Sequence, residues 1–256
     1  MNLGRYQSED PPRRQELAGG AVLLEVPVPT SLALSLGVWL RRGSAAETDE
    51  FLGASHFLEH MVFKGSTSRS ALEIAEAFDA IGAQIDAFTT KDYVAFTLKV
   101  LPDFFPPALT ILADMLLRPA VDPAAIALEQ DVVCEEIQEA LDTPEDMLHD
   151  AYANRLYSGH GRGRPILGSP GVVRTFSPDL LFEQHQRLFA PANLVISMAG
   201  NIIEGFHEIV ADTFARPDWT GPAGPGVAED DGGQPAAAVI DLDLEEADPF
   251  RLDLTS

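Results

Sequence analysis

Residues 56–65 read HFLEHMVFKG. Two histidines stand four residues apart, and a glutamate precedes the second. A helix is expected through this stretch, over about 53–63. On a helix, positions i and i+4 share a face, so His56 and His60 can present two imidazoles to one ion. Glu59 lies three residues after His56, on the flank of that face. It can reach a water at such an ion without binding the ion itself. Two neutral nitrogens, a base and an open position are the parts of a hydrolytic zinc site. The spacing alone leaves open a pair of surface histidines on a helix.

A zinc site of this kind needs a third protein ligand, usually a carboxylate. The segment LEQDVVCEEIQE, residues 128–139, offers several. Asp122-Pro123 is a good helix start, with an N-cap acid followed by proline at the first helical position. A helix from there to about Leu141 puts Glu129 and Glu136 two turns apart on one face. Such a pair suits one ligand and one residue that orients a ligand. Taken alone, the pair also fits a solvated helix face.

The chain has 256 residues, enough for one large domain or two small ones, and 46% of them are hydrophobic. Its formal net charge of −23 argues against nucleic acid and anionic membrane surfaces as partners. The charge would favour basic peptides or simply keep the chain soluble. Cys134 is the one cysteine, so no intrachain disulfide forms and a reducing compartment fits. The first residues, MNLGRYQSEDPPRRQ, carry acids and no apolar core, unlike a secretory signal. With no apolar run of membrane-spanning length, the chain reads as soluble and cytoplasmic.

Strands and helices are mixed along residues 15–215. Residues 21–41 read as two neighbouring strands. Ser70 and Glu73 have the capping-box pattern ahead of a helix that Gly82 ends. AQIDAF and YVAFTLKVL read as strands joined at Thr90-Lys91-Asp92. Helices are expected over about 103–117, from Thr143-Pro144 onward, over PDLLFEQHQRLF and over about 204–215. GHGRGRPILGSPG reads as a loop and NLVISMAGNI as a strand. Residues 1–14 form an N-terminal extension. From Arg216 the texture turns Pro/Gly/Asp-rich, and residues 217–256 hold ten acids against one arginine. This reads as a mobile acidic tail in which VIDLDL could make one strand. His149, His160, His185 and His207 have no partner pattern and receive no role. Cys134 is assigned to packing.

HFLEHMVFKGS resembles the active-site helix of the pitrilysin/insulinase metallopeptidases, a family that includes the mitochondrial processing peptidases. That family carries a glutamate ligand about 76 residues after the second histidine, and here that position is Glu136. EQDVVCEEI resembles the family's second region, with Gln130 where arginine is common. RSALEIAEAFDAIGAQIDAFTTKDY, GRPILGSPGVVRTFSPDLL and APANLVISMAGNI are similar to family segments too. The resemblance covers about 15–215.

It implies an α+β fold, a mixed and mainly antiparallel β-sheet packed against helices, as one half of a two-half architecture. It implies zinc held by His56, His60 and Glu136, with Glu59 as general base and Glu129 as a supporting acid. Asp86-Ala87-Phe88 resembles the family's edge-strand segment, usually Asn-Ala-Phe, on which substrate peptides add as an extra strand. Phe88 would equally fit core packing. Family members usually carry a second half with Arg and Tyr residues that stabilise the transition state. Nothing after Arg216 resembles it. The implied function is a zinc endopeptidase acting on peptides or unfolded protein, paired with a second-half chain or self-associated. The alternative is a non-catalytic or truncated member acting as an interaction subunit.

Overall fold

A computed structural model of the chain describes residues 12–214. The expected acidic tail, its VIDLDL segment and most of the N-terminal extension lie outside the described residues. Six strands form one sheet: β1 (Arg13–Glu16), β2 (Val22–Pro27), β3 (Leu34–Leu40), β4 (Gln84–Thr89), β5 (Val94–Val100) and β6 (Leu194–Gly200). Among the described residues eight α-helices accompany them: α1 (Ala54–Met61), α2 (Ala71–Ala80), α3 (Phe105–Leu117), α4 (Pro123–Asp142), α5 (Pro144–Leu156), α6 (Pro170–Val173), α7 (Pro178–Leu188) and α8 (Phe206–Phe214).

The strand order is β1-β2-β6-β3-β5-β4. Only β2 and β6 run parallel; the other pairs are antiparallel. The fold is α+β with a mixed, mainly antiparallel sheet, as the resemblance implies. One detail differs: β2 and β3 do not pair. The linker between them passes around the end of β6, with Val28 N donating to Gly200 O and Asn201 N to Ala33 O. β6 uses both of its hydrogen-bonding edges, one for β2 and one for β3. Neither β1 nor α6 was expected. All four β1 side chains are exposed and show no apolar alternation, and α6 has only four residues.

Alternation sorts the sheet into two faces. Leu34, Leu36, Val38 and Leu40 pair with Val100, Leu98, Phe96 and Val94 on one side and stand beside Met198, Ile196 and Leu194 on the other. All are buried, in one core with Phe57, Leu58 and Met61 of α1 and Leu109, Leu112 and Met115 of α3. Burying a side chain of this size contributes about 1.5–3 kcal/mol, so this face holds the domain together. The opposite face carries Trp39, Phe88 and Tyr93, which meet edge-to-face with ring centroids 5.6–6.2 Å apart. Trp39 Nε1 donates to Ser197 Oγ at 2.9 Å. A Cβ on Gly37 would come within 2.5 Å of that Trp39 nitrogen, so the glycine makes room for the indole.

Helix termini follow local chemistry. Ser70 Oγ accepts from Glu73 N, and the Glu73 carboxylate accepts from Ser70 N, a closed capping box. Asp122 Oδ1 accepts from Ala124 N and Ala125 N at the start of α4. α5 starts at Thr143-Pro144 as expected, but the Thr143 hydroxyl donates back to Glu139 O and closes α4 instead of capping α5. Buried Asp114 on α3 accepts from Ser66, Ser68 and Arg69 and pins the segment that follows α1. No helix among the described residues is long and apolar enough to cross a membrane.

Candidate metal centre

α1 is short, so its ends decide its direction. Its N-cap, Gly53, takes φ 92°, the left-handed region that glycine enters without strain. A Cβ there would lie 2.6 Å from Leu167 O, and one on Gly168 would lie 2.4 Å from Leu52 O. The two glycines let the loop after α5 close against the start of α1. Glu47 accepts from Gly53 N at 2.7 Å and Ser55 N at 2.6 Å. A carboxylate at a helix N-terminus satisfies orphan amides and complements the helix dipole. Phe57, Leu58 and Met61 are buried, which turns His56, Glu59 and His60 away from the core.

α4 crosses beside α1. Its buried stripe is Ile126, Glu129, Val133 and Ile137. This stripe brings Glu136 opposite the histidines. Glu136 Oε2 lies 3.8 Å from His56 Nε2 and 3.9 Å from His60 Nε2. One ligand atom from each of the three residues falls within 4.8 Å of the others. Ligand atoms about 2.0–2.2 Å from a tetrahedral zinc lie roughly 3.3–3.6 Å apart, so the set needs only a slight contraction. Glu136 Oε2 is buried and has no hydrogen-bond partner among the described residues. An unpaired buried carboxylate oxygen facing two imidazole nitrogens fits a cation between them. Burial, then the neighbouring His60, lowers the pKa of His56 to about 4, so at neutral pH it is the uncharged base a metal requires.

Glu129 sits behind His60 and is 3% exposed. Its Oε1 is 2.7 Å from His60 Nδ1, and its Oε2 is 2.6 Å from Lys64 Nζ. Burial alone would raise the Glu129 pKa, but the bonds from His60 and Lys64 outweigh it and hold the group below its ordinary value. His60 moves the other way. Burial pulls it down, and the Glu129 bond with the charges of Glu136, Glu129 and Glu59 more than restores it. Gln130, where the family often has arginine, donates from Nε2 to Val173 O and Phe176 O, tying α4 to the loop before α7.

Glu59 stands where two clefts meet. One is lined by His56, Ala87, Phe88, Thr89, Asp146, His149 and Asp150, the other by His60, Lys64, Asp86, Ala87 and Glu129. Burial raises the Glu59 pKa, opposed by a hydrogen bond from Thr89 Oγ1 and by His60. β4 is the edge strand and pairs with β5 alone. Ala87 and Thr89 face the helices, since they pair opposite the core residues Phe96 and Val94. Asp86 and Phe88 face the opposite side. Phe88 is 38% exposed in the aromatic cluster and is not core packing. A separate cleft of about 550 Å³ lies on the other face of α1, among Glu47, Phe51, Leu58 and Gln184. It holds no metal-ligating set.

Comparison with known sequences settles the family. Residues 24–170 match the profile of Insulinase (Peptidase family M16). The chain belongs to peptidase family M16. Among its M16 relatives, the uncharacterized zinc protease YmxG of Bacillus subtilis is 42% identical over 195 residues, 76% of this chain and 48% of that protein. The uncharacterized zinc protease SCO5738 of Streptomyces coelicolor is 34% identical, over 74% of this chain and 41% of that protein. The chain thus spans less than half the length of either relative. The crystal structure of a peptidase M16 inactive domain from Pseudomonas fluorescens superposes with a TM-score of 0.78 at 22% identity. That match covers 86% of this chain and 53% of the other, a likeness of fold.

Three residues at the centre escaped the sequence reading. Lys64 had a signal, since it follows His60 by four and shares its face. Glu47 had a weaker one, an acid ahead of a helix start. Thr89 had none that could be read locally, because only the packing of β4 on α1 brings it to Glu59.

Proposed function

We propose that this M16 chain is the metal-bearing half of a zinc endopeptidase. The observation that carries the reading is the meeting of His56 Nε2, His60 Nε2 and the unpartnered Glu136 Oε2. His56, His60 and Glu136 would hold the zinc. Zinc at such a site acidifies water and polarises the scissile carbonyl. Glu59 takes the proton of the attacking water and returns it to the leaving amine. Glu129 fixes the His60 ring so that Nε2 faces the ion. A peptide pairs with the free edge of β4 along Asp86-Ala87-Phe88, and this backbone pairing tolerates varied sequences. Asp146 and Asp150 line the cleft beside His56 and Glu59, which favours a basic side chain near the scissile bond.

In this reading a second-half domain supplies the opposite wall of the site. The partly exposed Trp39, Phe88 and Tyr93 cluster gives a second-half chain, or a second copy, an apolar seat. Alone, the chain should be a poor peptidase, since losing even one oxyanion donor typically costs about 10²–10³-fold. The alternative reading is a non-catalytic interaction subunit that keeps the fold. Metal analysis of the purified chain and of Glu136→Gln, followed by peptide cleavage with and without a second-half chain, separates the two. One zinc per wild-type chain, less in the variant, and cleavage on pairing is expected. Full zinc in Glu136→Gln removes that ligand. Zinc binding without cleavage in any pairing favours the subunit reading.

A further inference from the structure

Glu59 extends from α1 on a side chain with three rotatable bonds. The burial of Phe57 and Leu58 fixes the rotation of the helix but not the carboxylate at the end of that side chain. A hydrogen bond does reach the carboxylate: Thr89 Oγ1 donates to Glu59 Oε2. Thr89 is the last residue of β4, paired opposite Val94, with its side chain on the helix face beside Ala87. It is half-buried, so the hydroxyl is partly shielded from competing water. Thr90, the next residue, turns its hydroxyl to Tyr93 O and stabilises the β4–β5 turn instead. The two adjacent threonines therefore do different work, one for the turn and one for the glutamate.

We propose that Thr89 is a positioning residue: its hydroxyl holds the Glu59 carboxylate in the rotamer from which it receives the proton of the attacking water. Because Thr89 belongs to the free edge strand, the backbone that aligns a peptide also aligns the base. This rests on the peptidase reading above. Valine keeps the β-branched shape of threonine and lacks only the hydroxyl, so the exchange isolates what the hydroxyl contributes.

The test uses the full chain, joined with its second-half chain wherever turnover is read. Thr89→Val should keep wild-type zinc stoichiometry and a KM within about twofold, while kcat falls by about 10-fold or more. Thr89→Ser, which restores the hydroxyl, should recover most of that loss. A second measurement needs no turnover. In the metal-free chain, Thr89→Val and Glu59→Ala should shift the urea unfolding midpoint non-additively, because the second change removes a contact already lost. Additive shifts, a wild-type kcat in Thr89→Val, or loss of zinc from that variant would overturn the proposal. If the wild-type assembly cleaves nothing, the peptidase reading fails by itself. The unfolding cycle then decides alone whether Thr89 holds Glu59.

Discussion

His60 Nδ1 and Glu129 Oε1 are 2.7 Å apart, so a carboxylate buried in α4 grips the imidazole from the side away from the ligand cluster. This leaves Nε2 directed at Glu136. Lys64 on the other Glu129 oxygen balances the buried charge, which would otherwise be costly. Glu129→Gln keeps the shape but weakens this support. Zinc affinity should fall by about 10–100-fold, measured by competition with a chelator. Unchanged affinity would remove Glu129 from the site.

Glu59→Gln should separate binding from catalysis. The substitution spares the three ligands and removes the base. Zinc content should match wild type, and turnover of the assembled enzyme should drop by about 10²–10⁴-fold. A variant that turns over like wild type would take the proton-transfer role away from Glu59.

Asp146 and Asp150 are one turn apart on the exposed helix α5 and reach into the cleft that also contains His56 and Glu59. Replacing both with asparagine should selectively raise KM for peptides with Arg or Lys near the scissile bond, by about 10-fold. Peptides with neutral residues there should be unaffected. An equal effect on both peptide sets would show that the acids do not select charge.

His185 supplies a pH dependence outside the metal site. It is 3% exposed, stacks on Phe189 and donates from Nε2 to Leu116 O at 2.7 Å. Burial lowers its pKa to about 4, against an ordinary value of 6.5. Between these values the unfolded chain binds more protons than the folded one, so stability falls as pH drops from about 6.5 to about 4 and levels off below. The loss approaches about 3 kcal/mol. His185→Gln keeps a donor but cannot titrate. Its urea-derived stability should decline less over this window than that of wild type, and identical slopes would contradict the assignment.

The sequence by itself determined the parts whose physics is local. Helical spacing put His56 and His60 on one face. Capping chemistry at Ser70 and at Asp122-Pro123 marked where α2 and α4 begin. Apolar, β-branched runs marked residues 21–41, YVAFTLKVL and NLVISMAGNI as strands. The distance from His60 to Glu136 suggested a ligand only through family resemblance, because no local rule connects residues 76 apart. The tertiary structure decided the rest. β6 enters between β2 and β3 because strand order depends on which edges remain free, a property of the whole sheet. β1 forms with no apolar signal because β2 offers it an open edge. Glu129, which taken alone also fits a solvated helix face, turns inward where α4 meets α1, and Gln130 reaches Val173 O and Phe176 O. Phe88 turns to the open face rather than the core because β4 registers on β5 with Ala87 and Thr89 inward. The contact from Thr89 to Glu59 exists only once β4 lies against α1, and pairing across such distances follows from packing that no stretch of the chain encodes alone.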